Sequence, residues 1–338
     1  MKLRHLAFLP GFFVLLSQLY MLPAQPAPGS TVSARVFADL LRIPAEAPRV
    51  SAVVRERREE GTLFLEDVVW DSIDEEEVPA WVIRPAGTAG RLPAVICLHG
   101  TGGSRDSMAA PEFGNGEWTS YQASRTHRRL LGWARELSRR GYVTLAMTQR
   151  GLDYRLPNTE ARNKEMLVHG RNVMGTIVYE IRQAITYLRS RPDVDPDRIG
   201  ITGMSFGGIT SFYTWLVDHR LAAAAPICGG VGSVQTFLDI GSRGYHGIYW
   251  WVPDMLKWGD QGDFAAAMAP RPLMLWAPLD DIGMPKEGVD EFLRGALPAY
   301  EQAGARDKLV VHRPPGEHTF SLAAFEALVE FFDRELAR

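Results

Sequence analysis

Two short runs of residues could do acyl chemistry together. Gly203-Met204-Ser205-Phe206-Gly207 sets a serine between glycines, and His99-Gly100-Thr101-Gly102-Gly103 lies well before it in the chain. A serine hydroxyl becomes a useful nucleophile only when a base takes its proton and its oxygen projects clear of its own backbone. Flanking glycines permit the sharp strand-to-helix turn that achieves this and let the helix pack close to the strand. Gly203 and Gly207 fill those places, and Gly208 adds room. The earlier run offers backbone N–H groups to a developing oxyanion. The candidate donors are Phe206, which follows the serine, and Thr101, which follows His99-Gly100. No Gly-Lys-Ser/Thr follows the glycines and dinucleotide spacing is absent, which argues against phosphate binding.

A serine of this kind needs a base late in the chain, preceded by an acid. Of eight histidines, His318 in Pro315-Gly316-Glu317-His318 stands between a last predicted strand and a last predicted helix. His312 falls within or at the end of that strand. His127, His169, His219 and His246 precede the acid and read as surface or core residues, and His5 belongs to the N-terminal leader. The acid should follow the strand Leu273–Ala277, where Asp280 and Asp281 both qualify. Counting from the strand end favours Asp280, and counting back from Pro285 favours Asp281. Asp280 is preferred, with its neighbour as an exposed turn residue.

These residues require a sheet whose strands all end on one side. Apolar runs alternate with helical patterns from Pro93 onward: strands at Pro93–Leu98, Tyr142–Met147, Arg198–Thr202, Leu221–Ile227, Leu273–Ala277 and Lys308–His312. Helices are expected near Thr126–Arg140, over 165–190, and at Phe206–Val217, Glu287–Ala303 and Thr319–Leu336, with a loop over 102–124. Strand character at Val50–Val54, Thr62–Trp70 and Val78–Arg84 precedes them, and the acidic turn Asp71–Glu77 reads as solvated. The alternation predicts a doubly wound, mostly parallel α/β sheet. Residues 229–270 break the pattern as an aromatic-rich insertion. Its densest stretch, Tyr245–Pro253, could wall a pocket or simply pack the insertion down. Gly259–Asp263 lacks calcium-loop spacing and reads as a turn.

The chain has 338 residues, with 37 basic and 40 acidic side chains well mixed, so no basic stripe points to nucleic acid. Residues 1–24 have the basic start, interrupted apolar run and small residue of a cleaved secretory leader, with a retained membrane anchor as the alternative. Residues 25–48 form a Pro-rich lead-in, and the folded domain is expected over 49–338. The two cysteines, Cys97 and Cys228, sit at strand ends and read as small apolar residues. No metal-binding spacing is present and no cofactor is implied.

From about residue 60 the chain resembles the α/β-hydrolase superfamily, in the branch of dienelactone hydrolases and acetyl xylan esterase-like proteins that includes the catalytic domain of prolyl oligopeptidases. The matching pieces are His99–Gly103, Arg150-Gly151, Val194–Gly200, Gly203–Gly208, Ala269–Pro272 and Gly316–His318. The resemblance implies a triad of Ser205, Asp280 and His318, and hydrolysis of esters. An exported serine esterase follows, with a carbohydrate acetyl ester as one candidate substrate and membrane contact only if the leader is retained. Two rivals are a peptidase of the oligopeptidase type and a non-catalytic protein of the same fold. Too little chain precedes the first hydrolase strand for the propeller such peptidases carry, and every candidate catalytic residue is present.

Overall fold

A computed structural model of the chain describes residues 32–44, 48–119, 126–151, 155, 159–241 and 245–336. The expected leader lies outside them. No helix among the described residues is long and apolar enough to cross a membrane.

Eleven strands are described: β1 (Val53–Glu60), β2 (Leu63–Asp71), β3 (Glu77–Pro85), β4 (Leu92–Leu98), β5 (Gly114–Thr119), β6 (Thr126–Leu131), β7 (Val143–Met147), β8 (Val194–Met204), β9 (Ala223–Ile227), β10 (Leu273–Trp276) and β11 (Leu309–His312). The helices are α1 (Ala34–Leu40), α2 (Arg105–Met108), α3 (Trp133–Arg139), α4 (Thr159–Val168), α5 (Val173–Ser190), α6 (Phe206–Val217), α7 (Val234–Asp239), α8 (Gln261–Ala266), α9 (Lys286–Gln302) and α10 (Leu322–Glu335). Nine strands form one sheet in the order β1-β2-β3-β7-β4-β8-β9-β10-β11, and β5 and β6 form a separate hairpin. From β7 to β11 every pairing is parallel, while β1, β2 and β3 add an antiparallel flank. This is the mostly parallel α/β sheet that the alternation of strands and helices predicts.

Both faces of the parallel part are buried, which explains why its strands are continuously apolar. Along β4, Ala94, Ile96 and Leu98 join the core beneath α5, α6 and α9, while Val95 and Cys97 join the core beneath α3 and α10. The period of two assigns successive side chains to opposite layers.

Several boundaries differ from expectation. The first strand is shifted into the charged run Arg55–Glu60, because an edge strand with both faces wet need not be apolar and its charges block further pairing. Residues 126–131 form β6 rather than the start of a helix. Gly132, at φ 66°, turns the chain from that strand into α3, and a side chain there would collide with the carbonyls of Ala110 and Glu112. The helical pattern over 165–190 is divided between α4 and α5, with Gly170 at φ 69° and Asn172 capping the new start by accepting from the Gly175 N–H at 2.7 Å.

The acidic turn after β2 is not simply solvated. Asp74 and Glu76 pair with the fully buried Arg150, which also meets the fully buried Glu180 at 2.6 Å. Arg155 completes the cluster by pairing with Glu76 and Glu180 and donating to the Thr148 carbonyl at 2.8 Å. Burial pushes the Glu180 carboxyl up, but the charges of Arg155 and Arg150 outweigh it, so it sits below its ordinary value. The cluster clamps the segment after β7 to the antiparallel flank.

Candidate active site

Ser205 occupies the N-cap position of α6 at φ 56° and ψ −114°, a backbone region L-residues rarely adopt. Serine at an N-cap usually accepts from its own helix. Here it makes no such bond, and the hydroxyl is left to other uses. The bend depends on close backbone approach. A side chain at Gly203 would meet the Gly207 backbone and the Leu98 carbonyl, and one at Gly207 would collide with the carbonyls of Leu98 and His99. Gly208 packs directly on Gly229 at the end of β9.

The His99–Gly103 run reaches Ser205 from the neighbouring β4. Gly100 lies so close that an added Cβ would stand 3.3 Å from the Ser205 Cβ. His99 sets the orientation of the loop. Its Nε2 accepts the Gln149 N–H at 2.9 Å, so its Nδ1 carries the proton and donates to the Gly100 carbonyl at 2.8 Å. The Gly103 N–H holds the same carbonyl at 2.9 Å. In a trans peptide the N–H points opposite the C=O, so the Thr101 N–H faces away from His99 and Gly103. Gln149 adds a second tie, donating to the His99 carbonyl at 2.8 Å and accepting from the Thr210 hydroxyl on α6 at 2.6 Å. Sequence reading missed Gln149; its only signal was its place before Arg150-Gly151.

Of the two candidate aspartates, the structure brings the one not preferred from sequence to His318. His318 Nδ1 lies 2.8 Å and 3.0 Å from the two carboxylate oxygens of Asp281, not Asp280. Asp281 is buried, whereas Asp280 is exposed and its carboxylate accepts the Gly316 N–H at 3.0 Å. The reason lies in the backbone. Pairing between the two chain segments continues beyond β10 and β11, through Ala277 to His312, Leu279 to Pro314 and Asp280 to Gly316. Along that extension Leu279 and Asp280 both stand on the exposed side. The chain then turns, with the Asp281 N–H donating to the Pro278 carbonyl at 3.2 Å, and the next side chain points in. The Gly283 N–H donates to Asp281 Oδ1 at 2.8 Å and fixes the carboxylate.

Cys228, which reads as a small apolar residue, and His246, which reads as surface or core, both stand beside Asp281 and its loop. Cys228, at φ 48°, follows β9 with its thiol 3.6 Å from the Thr319 carbonyl and within 4.8 Å of the Asp281 carboxylate. Burial and the neighbouring carboxylate push that thiol well up. Cys228, Asp281 and His318 bring their donor atoms within 4.8 Å of one another, the one grouping among the described residues with metal-ligand potential. The carboxylate and imidazole already satisfy each other, and a protonated thiol is a poor ligand. His246 stacks on Trp250, centroids 4.6 Å apart, and its Nε2–H donates to the Gly283 carbonyl at 2.9 Å. Burial lowers its pKa to about 4, keeping the ring neutral.

The aromatic stretch divides by exposure. Trp250 is fully buried; its indole N–H donates to the Gly230 carbonyl at 3.2 Å and its carbonyl accepts from the Tyr213 hydroxyl at 3.2 Å. Tyr245 and Ile248 are exposed, and the Tyr245 ring lies against Gly283 beside the acid. The packing role thus falls to Trp250, and the surface beside the acid falls to Tyr245.

A row of backbone bonds sets these loops in register. The Ser205 N–H donates to the Ile227 carbonyl and the Cys228 N–H to the Trp276 carbonyl, each at 2.9 Å. The candidate residues Ser205, Asp281 and His318 therefore follow β8, β10 and β11 at one edge of the sheet, where ligands bind in open α/β folds.

Comparison with known proteins gives the chain's family and fold. Residues 126–249 match the dienelactone hydrolase family. YtaP of Bacillus subtilis (strain 168), whose name places it among hydrolases, is 30% identical over 282 residues, covering 83% of this chain and 90% of that protein. The glucuronoyl esterase from Solibacter usitatus superposes with a TM-score of 0.71 at 15% identity, over 95% of this chain and 99% of its own. The acetyl xylan esterase from Paenibacillus sp. R4 gives 0.61 at 19% identity, over 89% and 92%. The two solved structures share the fold, and with the family match and the relative the conclusion is that this chain belongs to the dienelactone hydrolase family of the α/β-hydrolase superfamily, as a hydrolase of carboxylic esters.

Proposed function

We propose that the chain hydrolyses esters through Ser205, His318 and Asp281, with backbone N–H groups of Thr101 and Phe206 as the oxyanion site. The observation that carries this reading is the buried Asp281 bonded to His318 Nδ1 at 2.8 Å, at the sheet edge where Ser205 adopts its strained turn. Ser205 Oγ attacks the ester carbonyl as its proton passes to His318 Nε2, while Asp281 holds the Nδ1–H and stabilises the imidazolium. The N–H donors take the charge on the carbonyl oxygen. Collapse expels the alcohol, protonated by His318, and leaves an acyl-serine. Water, deprotonated by the same imidazole, attacks the acyl-serine and releases the acid. A carbohydrate ester, acetylated on the sugar, is the proposed substrate class. Proteins of this fold bear the names acetyl xylan esterase and glucuronoyl esterase. The basic, apolar N-terminus supports export to meet such a substrate.

A fluorophosphonate probe and a panel of acetylated sugars, simple acyl esters and peptide amides test the proposal. Labelling should be confined to Ser205 and turnover to esters, with acetylated sugars preferred. Ser205→Ala should lower kcat by on the order of 10⁴-fold with the fold intact. Labelling elsewhere, or near-normal turnover in that variant, refutes the mechanism.

A further inference from the structure

Gln149 stands just past the end of β7, the neighbour of β4 in the sheet, and is fully buried. Burying a primary amide costs free energy unless its polar ends are bonded. Its NH₂ donates to the His99 carbonyl at 2.8 Å, and its Oε1 lies 2.6 Å from the Thr210 hydroxyl on α6. The partners dictate this orientation. A carbonyl can only accept, so the NH₂ must face His99 and the oxygen must face Thr210. The Thr210 hydroxyl has one proton to give. The carbonyls of Phe206 and Gly207 stand 3.1 Å away, so the nearer amide oxygen takes it. One side chain thus joins the segment after β7, the run His99–Gly103 after β4 and the helix that begins at Phe206.

The same residue acts on the glycine-rich loop twice. Its amide holds the carbonyl of the His99–Gly100 peptide. Its backbone N–H sets the His99 ring by donating to Nε2 at 2.9 Å, and that ring holds the carbonyl of the next peptide, Gly100–Thr101, from Nδ1. Two successive peptide planes fixed at their carbonyls fix the direction of the Thr101 N–H. Gly100, Gly102 and Gly103 surround Thr101, and glycine gives up the most backbone freedom when fixed, so this loop needs the restraint. At the other end Thr210 lies one turn beyond Phe206 on α6. Loop and helix also meet directly, since an added Cβ at Gly207 would stand 2.8 Å from the His99 carbonyl oxygen. Gln149 itself is well anchored, because the adjoining Arg150 is paired with Asp74, Glu76 and Glu180.

We propose that Gln149 is a positioning residue of the oxyanion site, its amide tying the Thr101 loop to α6 so that the Thr101 and Phe206 N–H groups keep one separation. This rests on the reading of Thr101 and Phe206 as the donors. Gln149 is sealed from solvent and acts through His99 and Thr210. Its effect is therefore realised where oxyanion charge develops, in the transition state more than in the bound ester.

Gln149→Met keeps a side chain of similar length, leaves the backbone N–H on His99 and deletes the amide bridge. Thr210→Val removes only the helix end of that bridge, and Thr210→Ser restores the hydroxyl. Rates are taken per active site, counted by fluorophosphonate labelling run to completion, so a fraction that fails to fold does not enter kcat. Gln149→Met should lower kcat about 10- to 100-fold with KM within about twofold, the scale of a displaced catalytic group. Thr210→Val should lower kcat about 3- to 10-fold, and Thr210→Ser should keep at least about half of wild-type kcat. Affinity for an alkyl boronic acid, which forms a tetrahedral adduct on the serine, should fall in parallel with kcat/KM. A purely structural role predicts a lower melting temperature with wild-type kcat per active site and unchanged boronate affinity, and either of the last two results in Gln149→Met would overturn the proposal. Should that variant not fold, wild-type kcat in Thr210→Val, or a loss in Thr210→Ser as large as in Thr210→Val, would overturn it as well. Ser205→Ala measured alongside separates the levels. If it is inactive while Gln149→Met is normal, only the positioning role fails, and if it is active, the underlying mechanism fails too.

Discussion

Replacing Asp281 by asparagine reverses one hydrogen bond while changing no volume. In the native site the carboxylate accepts the Gly283 N–H at Oδ1 and the His318 Nδ1–H at 2.8 Å from Oδ2. In Asp281→Asn the Gly283 N–H demands the amide oxygen at the first position, so the NH₂ falls at the second, donor against donor. The imidazole relieves the clash by moving its proton to Nε2, where it can no longer accept from a serine. The charge that stabilises the imidazolium is lost too. A wrong tautomer of this kind costs on the order of 10⁴-fold in turnover, equivalent to about 5 kcal/mol of barrier. Asp280→Asn is the internal control. Its carboxylate is exposed and accepts only the Gly316 N–H at 3.0 Å, a bond an amide oxygen can also accept, so the loss should stay within about twofold. Initial rates on p-nitrophenyl acetate, with thermal melts of both variants, give the comparison. A larger loss in Asp280→Asn, or more than a tenth of wild-type activity in Asp281→Asn, would refute the assignment of the acid.

Three further outcomes follow from packing and charge. Trp250→Ala empties a fully buried indole site and should cost about 3–5 kcal/mol in urea unfolding, whereas the exposed Tyr245→Ala should leave stability near wild type and raise KM several-fold; the reverse pattern would move the pocket role to Trp250. Glu180→Gln leaves Arg150 and Arg155 short of a buried counter-charge and should destabilise by on the order of 3 kcal/mol, read as a lower melting temperature. In wild type the contribution of Glu180 is present above the usual carboxylate range and is lost as pH falls through it, because its folded pKa is depressed. His246 also has a depressed pKa, about 4, but as a base it takes its proton first in the unfolded chain. Stability should therefore fall as pH drops from about 6.5 to about 4, by roughly 3 kcal/mol at the lower end, and His246→Gln should remove that part of the slope. Unfolding free energies at pH 7, 5.5 and 4 for both proteins decide it, and identical slopes would exclude His246 as the source.

Much of this architecture is legible in the chain because buried parallel strands announce themselves. Runs such as Ala94–Leu98 and Leu273–Trp276 are apolar on both faces and end at turn residues. Gly203–Gly208 is equally readable, since only glycine tolerates the backbone approaches there. What is not legible depends on partners distant in sequence. β1 is a charged strand held by pairing with β2, and periodicity of apolar residues gives no sign of it. Arg150 and Glu180 look like surface charges until the turn at Asp74 closes over them. The choice between Asp280 and Asp281 rests on how far backbone pairing runs past the end of a strand, which depends on residues 312–316 as much as on β10. Cys228 and His246 give no sign in the sequence for the same reason, because each meets the loop of Asp281 only in space.

That meeting constrains how the protein can change. Tyr245 rests on Gly283, and His246 bonds to the Gly283 carbonyl, while the Gly283 N–H bonds to Asp281. The segment that could be remodelled to admit a different ester is thus braced against Asp281, the proposed orienter of the base. Substitutions made there for fit will also shift basicity and rate, so selectivity and speed are inherited together. A wholesale graft of residues 233–260 from a relative would need its own residue at the Gly283 contact to preserve turnover.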